Sequence, residues 1–144
     1  MLLERGAQVN VTSRNGSTPL HIAAKYGSPE VAELLLNKTA DIEAINSAGR
    51  TPLHMAAEFD HDEVAMVLMN AGAKIDAMDV EGNTPLHISA QNSSLLVAKL
   101  LVKNGADLTL RNNEGNTPLV VSRLNNSTLI ENLLENVEEI ISVQ

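Results

Sequence analysis

Apolar side chains recur along this chain in short helical stripes that come in pairs. The second stripe of each pair is the clearer one, because its apolar residues lie at positions i, i+3 and i+4, the spacing of one face of an α-helix. It occurs four times, as Val31/Leu34/Leu35, Val64/Val67/Leu68, Val97/Leu100/Leu101 and Ile130/Leu133/Leu134. The first stripe carries small residues such as Ala23 and Ala24, which let helices approach closely. The pattern predicts four pairs of short helices.

A four-residue motif marks the start of each pair. Thr-Pro-Leu-His begins at Thr18, Thr51 and Thr84, and Thr-Pro-Leu-Val begins at Thr117, so the period is 33 residues. A threonine hydroxyl caps a helix N-terminus, and proline fits the first helical position because its missing N–H is not needed there. A glycine stands two residues before each of these threonines and suits a turn with positive φ.

With this motif and this period, the chain resembles the ankyrin-repeat family. The resemblance covers nearly the whole chain and implies an all-α solenoid of stacked helix-turn-helix units with β-hairpin-like finger loops. It divides a single domain, 1–144, into a partial repeat at 1–14, full repeats at 15–47, 48–80 and 81–113, and a C-terminal capping repeat at 114–144. Because Leu2–Ala7 aligns with Leu35–Ala40, we expect either a degenerate first unit or a piece of a longer repeat protein.

Several positions depart from the repeat. Thr39 stands where Gly72 ends a second helix, and Asp60 and Ser93 stand where Gly27 separates two helices. A β-branched residue resists positive φ, so either the helix before Thr39 ends differently or this position is strained.

The last unit departs most from the others. Val120 replaces the histidine of the motif, and glutamates are set among the apolar residues of the final stripe. A terminal repeat needs a polar outer face because no neighbour covers it. We therefore expect Leu134 to be partly exposed, so that Leu134→Ala costs less stability than Leu101→Ala.

Composition narrows the classes of function. The net charge is −8, cysteine and tryptophan are absent, and the only aromatic residues are Tyr26 and Phe59. The acidity and the lack of stacking platforms oppose nucleic-acid binding, and no apolar run reaches the ~18 residues of a membrane span. No nucleophile elbow, Gly-rich phosphate loop or His-Glu-x-x-His motif occurs. We expect a monomeric, intracellular, non-enzymatic protein without a cofactor, a metal or membrane insertion.

Two groups of polar residues have a chemical alternative. His21, His54 and His87 occupy the same place in successive units, which favours a structural role: each imidazole bonds the turn beside its own threonine, and a metal or catalytic role is the alternative. The acidic residues around His61 could hold a divalent cation, although a solvated loop near a helix N-terminus is the favoured interpretation.

The partner-binding surface is expected at positions that the repeat does not dictate, namely the finger tips and the ends of the first helices. The candidate residues are Arg14, Lys25, Tyr26, Ile45, Arg50, Glu58, Phe59, Met78, Glu81, Gln91, Asn92, Arg111, Arg123 and Leu124. Tyr26 and Phe59 lie at equivalent positions of adjacent units, and aromatic residues often anchor interfaces. The alternative is that each ring packs over its own inter-helix turn.

These positions predict a protein-protein interaction module that binds a protein or peptide through its concave face. The alternatives are a structural spacer within a longer array, which has no dedicated partner, and a small enzyme. The resemblance also implies a modification, because ankyrin-like proteins are often hydroxylated at a finger asparagine. Only Asn10 lies in a similar sequence context, and Gln8 departs from this context because it stands where an acidic residue is expected.

Overall fold

The computed structural model describes the backbone of residues 9–143 and the side chains of residues 9–137. Within this part the chain forms helices and turns and no strand, which confirms the predicted all-α solenoid. The helices are α1 (Pro19–Tyr26), α2 (Pro29–Asn37), α3 (Pro52–Glu58), α4 (Asp62–Asn70), α5 (Pro85–Asn92), α6 (Leu95–Lys103), α7 (Pro118–Leu124) and α8 (Thr128–Val143). Residues 1–8 of the expected partial repeat lie outside the described residues.

The helices stack in two rows. The first helices of the units, α1, α3, α5 and α7, pack one against the next, and the second helices, α2, α4, α6 and α8, form a parallel outer row. The core lies between the rows, where the motif leucines Leu20, Leu53 and Leu86 are buried together with small residues such as Ala24 and Ala57. The first helices form the inner row. Because small residues permit close helix contact, helices of the inner row pack more closely on one another than those of the outer row.

The threonine motif starts each first helix as predicted. The Oγ1 of Thr51 accepts a hydrogen bond from the backbone N–H of His54, and the Nδ1 of His54 accepts one from the backbone N–H of Thr51 at 3.1 Å. This reciprocal capping box also occurs in α1 and α5. In α7 only Thr117 contributes, because Val120 has no ring nitrogen.

The finger loops connect successive units through backbone hydrogen bonds. The N–H of Ser47 donates to the carbonyl of Asn15 at 2.8 Å, and the N–H of Val80 donates to that of Ala48 at 3.0 Å. The fingers approach so closely that a Cβ on Gly49, which has φ +74°, would lie 2.8 Å from the backbone N of Val80. Glycine is therefore required here both for its backbone conformation and for its size.

Within residues 9–143, four residues other than glycine adopt positive φ. Thr39 has φ +67°, so this position is strained. Strain was one of the two alternatives that the sequence left open for this residue. Asp60, Ser93 and Asn126 each have φ +57° and take the left-handed conformation that Gly27 adopts in the first unit. Three of the four inter-helix turns therefore keep this conformation without glycine.

The expected partial exposure of Leu134 is wrong. Leu134 is only 1% exposed, and Ile130 is equally buried. Both side chains lie in the core, because α8 packs on α7 of its own unit and on α6 of the preceding unit. The exposed side of α8 is a different one, on which Leu129 is 65% exposed.

Candidate functional site

The three motif histidines connect neighbouring units. The Nδ1 of each ring accepts from its own threonine, so the proton lies on Nε2, which donates to a backbone carbonyl at 2.8 Å. The acceptors are Arg50 for His21, Asn83 for His54 and Asn116 for His87. Burial lowers the pKa of all three imidazoles, although hydrogen bonds to backbone carbonyls oppose the shift. The predicted bond to the threonine turn is present, and all three rings are fully buried.

The acidic residues around His61 do not converge. Within residues 9–137, no three histidine or carboxylate side chains are placed to share a metal ion. His61 instead packs its imidazole over Gly27 of the preceding unit, where an added Cβ would lie 2.5 Å from the ring. Asp60 accepts a hydrogen bond from the backbone N–H of Val97 and so caps α6 of the next unit.

Lys25, Tyr26 and Phe59 form an exposed cluster, here named the aromatic patch. Tyr26 is 67% exposed and Phe59 is 41% exposed, at equivalent ends of α1 and α3. The Nζ of Lys25 lies 5.5 Å from the centre of the Tyr26 ring and 5.9 Å from that of Phe59, within the range of a cation–π interaction. One ammonium therefore connects two aromatic residues of adjacent units.

Arg50 lies beside this patch but is bound within the chain. Its Nε donates to Oδ2 of Asp79 at 3.2 Å, and its guanidinium also contacts Oε2 of Glu58 at 3.1 Å. The Asp79 side chain is 1% exposed, and its Oδ1 accepts from the backbone of Glu81 and Asn83. Sequence reasoning missed Asp79. The repeat could have indicated it, because the equivalent positions of the neighbouring units hold the amides Asn46 and Asn112, whereas this unit holds an acid.

Arg123 is likewise engaged within the chain. Its guanidinium contacts Oε2 of Glu131 at 3.0 Å and Oε1 of Glu135 at 2.8 Å, and hydrogen bonds to these two carboxylates raise its pKa. The structure therefore separates the predicted basic residues into two groups. Arg50 and Arg123 are paired, whereas Arg14, Lys25 and Arg111 form no ion pair in the part of the chain with described side chains.

The remaining candidates do not join these clusters. They are exposed at finger tips or at the ends of first helices, and comprise Ile45, Met78, Glu81, Gln91, Asn92, Arg111 and Leu124. A depression beside Tyr26 leads to the N-terminal face of the first unit, where Ile22 and Val31 are exposed.

A family model described as ankyrin repeats (3 copies) matches residues 1–79 and 68–143. The chain belongs to the ankyrin-repeat family. Ankyrin repeats are in general modules for protein–protein interaction. No curated protein matches this sequence. Among the helices described here, none has the length and apolar character needed to cross a bilayer.

Asn10 has a structural role in this ankyrin-repeat domain. Its Oδ1 accepts a hydrogen bond from the backbone N–H of Asp41 at 2.8 Å. Glu43 and Asp76, one and two periods later, accept in the same way from Lys74 and Asp107. The side chain connects two fingers, and hydroxylation of Asn10 stays a prediction.

Proposed function

We propose that this ankyrin-repeat domain binds a protein or peptide through the face formed by its finger tips and first-helix ends, with the aromatic patch as its anchor. The observation that supports this is the exposure of Tyr26 and Phe59, the only aromatic residues of the chain. Neither ring fills the core, so the fold does not account for an aromatic side chain at either position. Aromatic residues are enriched at the energetic centres of interfaces.

The charges beside the patch favour a partner that carries carboxylates. Lys25 is held between the two rings, and Arg14 is exposed in the finger that precedes α1. Arg50 contributes little net charge, since Asp79 and Glu58 neutralise it. The proposed partner segment is therefore apolar where it covers the rings, with an acidic residue beside Lys25.

Affinity capture followed by quantitative mass spectrometry tests this function. The test compares the wild type with Y26A/F59A and with L96A/L129A, a matched pair of exposed apolar residues on outer helices. We expect proteins retained by the wild type and by L96A/L129A to be lost with Y26A/F59A. Their purified complexes should weaken by a factor of about 100 or more, the scale of paired hot spots. Equal retention by both double variants, with unchanged helical circular dichroism, contradicts the proposal.

The spacer function is the second candidate, because one observation favours it. Ile22 and Val31 are exposed on the N-terminal face, whereas the equivalent Ile88 and Val97 are fully buried by the preceding unit. A spacer predicts that Y26A/F59A changes no captured protein. It also predicts that fusing the repeat 48–80 upstream of the first unit raises the melting temperature, by covering Ile22 and Val31.

A further inference from the structure

The outer row of helices carries a groove that the proposed function does not use. It lies between α2 and α4 and has a volume of about 620 Å³. Apolar side chains, Leu36, Met66 and Val67, line it together with three carboxylates, which belong to Glu30, Glu33 and Glu63. The remaining lining residues are uncharged, so no basic residue takes part.

Met66 is apolar at a position where the repeat is otherwise polar. It is 46% exposed, and the equivalent residues of the other units are Glu33, Lys99 and Asn132. Neighbouring Leu36 and Val67 are partly buried and pack against the core, so Met66 extends their apolar surface toward solvent. Flexible methionine side chains are well suited to binding surfaces because they adapt to the shape of a partner.

The carboxylates distinguish this groove from the next outer helix, α6. Glu30 and Glu63 lie at one repeat position, which holds Leu96 and Leu129 in the later units. The next outer helix, α6, carries Lys99 and Lys103 and no acid. In the part of the chain with described side chains, none of the three groove glutamates forms an ion pair. Their charges are therefore available to a partner.

We propose that the α2/α4 groove docks a basic amphipathic segment of another protein. Apolar side chains of this segment contact Met66 and Leu36, while its lysines or arginines face Glu30, Glu33 and Glu63. The partner is a different chain, because a second copy would bring a net charge of −8 toward an acidic surface. Each wall is a nine-residue helix, so the groove accommodates about two to three turns of a partner helix.

A synthetic peptide tests this proposal directly. The probe is a fluorescein-labelled 14-residue peptide of about equal numbers of leucine and lysine, with leucines at helical i, i+3, i+4 spacing, and its binding is followed by fluorescence anisotropy at about 0.15 M salt. We expect E33Q/E63Q to weaken binding by about tenfold or more, and M66S by about fivefold, since both contact the peptide. E81Q/E114Q makes the same change in net charge on the finger side and should alter binding less than about twofold.

Two outcomes overturn the proposal. One is equal weakening by E33Q/E63Q and E81Q/E114Q, which indicates non-specific attraction to an acidic protein. The other is unchanged binding to M66S, which indicates that the apolar part of the groove makes no contact. A permuted peptide of the same composition, without the helical spacing, should bind at least about fivefold more weakly.

The absence of cysteine from the chain allows the site to be located independently. A benzophenone attached to N37C, on the groove wall, should cross-link the peptide, whereas one attached to Q91C should not. Cross-linking from Q91C alone overturns the proposal. Peptide binding should survive Y26A/F59A, so failure of the groove and failure of the aromatic patch are distinguishable.

Discussion

The Oδ1 atom of Asp60 accepts a hydrogen bond from the backbone N–H of Val97 at 3.0 Å and so caps a helix of the next repeat. The helix is α6, whose own N-cap residue, Ser94, makes no side-chain capping bond. Asp60 lies in the turn between α3 and α4 with φ +57°. A residue that departs from the repeat's glycine thus connects two units across 37 positions of sequence.

This connection predicts the order of stability of three variants. Asp60→Ala should lower the free energy of unfolding by about 1–2 kcal/mol, because it removes a cap and places alanine in the left-handed region. Asp60→Gly should cost less, since glycine adopts that conformation without strain. Asp60→Asn keeps the Oδ1 acceptor and should stay within about 0.5 kcal/mol of the wild type. Urea titration measures all three, and an equal loss for Ala and Asn argues against the cap.

Arg50 and Asp79 should depend on each other for stability. One unit later, the equivalent pair is Asn83 and Asn112, whose side chains form a hydrogen bond of 2.9 Å. Arg50→Asn alone should cost about 2 kcal/mol, because the buried carboxylate loses its cation. Asp79→Asn alone should cost about 1–2 kcal/mol, because it leaves the guanidinium facing an amide.

The double variant R50N/D79N reproduces the asparagine pair of the next unit and is the control. We expect it to unfold within about 1 kcal/mol of the wild type, giving a coupling energy of at least about 2 kcal/mol in a double-mutant cycle. Additive losses would show that the two side chains act independently.

Thr39→Gly should be neutral or should stabilise the protein by about 0.5 kcal/mol. Thr39 has φ +67°, and removing a β-branched side chain from this conformation relieves about 1–2 kcal/mol, against about 0.5–1 kcal/mol of added chain entropy. The converse change, Gly72→Thr, is the matched control, since nothing lies within 4 Å of a Cβ at that position. Thermal unfolding should show a loss of about 1–2 kcal/mol for it. A gain in stability for Gly72→Thr would contradict the strain inferred at Thr39.

Acidification should destabilise the fold through His21, His54 and His87. Burial lowers their folded-state pKa below 6.5, so as pH falls through 6.5 the unfolded chain binds protons that the folded chain does not. The stability they contribute is complete above pH 6.5 and declines below it, by up to about 1.4 kcal/mol per pH unit for each histidine. Urea titrations between about pH 7.5 and 5 measure the slope. His54→Gln should reduce it by about a third, and a flat profile refutes the prediction.

Leu101→Ala and Leu134→Ala should cost similar amounts, about 2–5 kcal/mol each. The two side chains are 0% and 1% exposed, so each truncation leaves a cavity against a neighbouring helix. Leu124→Ala removes an exposed side chain and should change stability by less than about 0.5 kcal/mol in the same denaturant titration. A much smaller loss for Leu134 would mean that α8 detaches before the rest unfolds.

The sequence by itself determined the period, the starts of the first helices and most of the buried positions. Each capping box joins residues three apart, such as Thr18 and His21, so its geometry is local and can be read directly from the motif. The period also predicted that Tyr26 and Phe59 occupy equivalent places on adjacent units. Both rings are exposed because they face a side of the solenoid that no neighbouring unit covers.

Only the tertiary structure decided which side chains meet across units. Arg50 pairs with Asp79 and Asp60 caps Val97 at separations of 29 and 37 residues, and Lys25 lies over the ring of the next unit's Phe59. Such contacts depend on the distance and rotation between successive units, which result from the packing of all core side chains together. A local pattern does not contain that rotation. For the same reason, sequence reasoning could name Arg50 as a basic residue of the site but could not show that its charge is already neutralised.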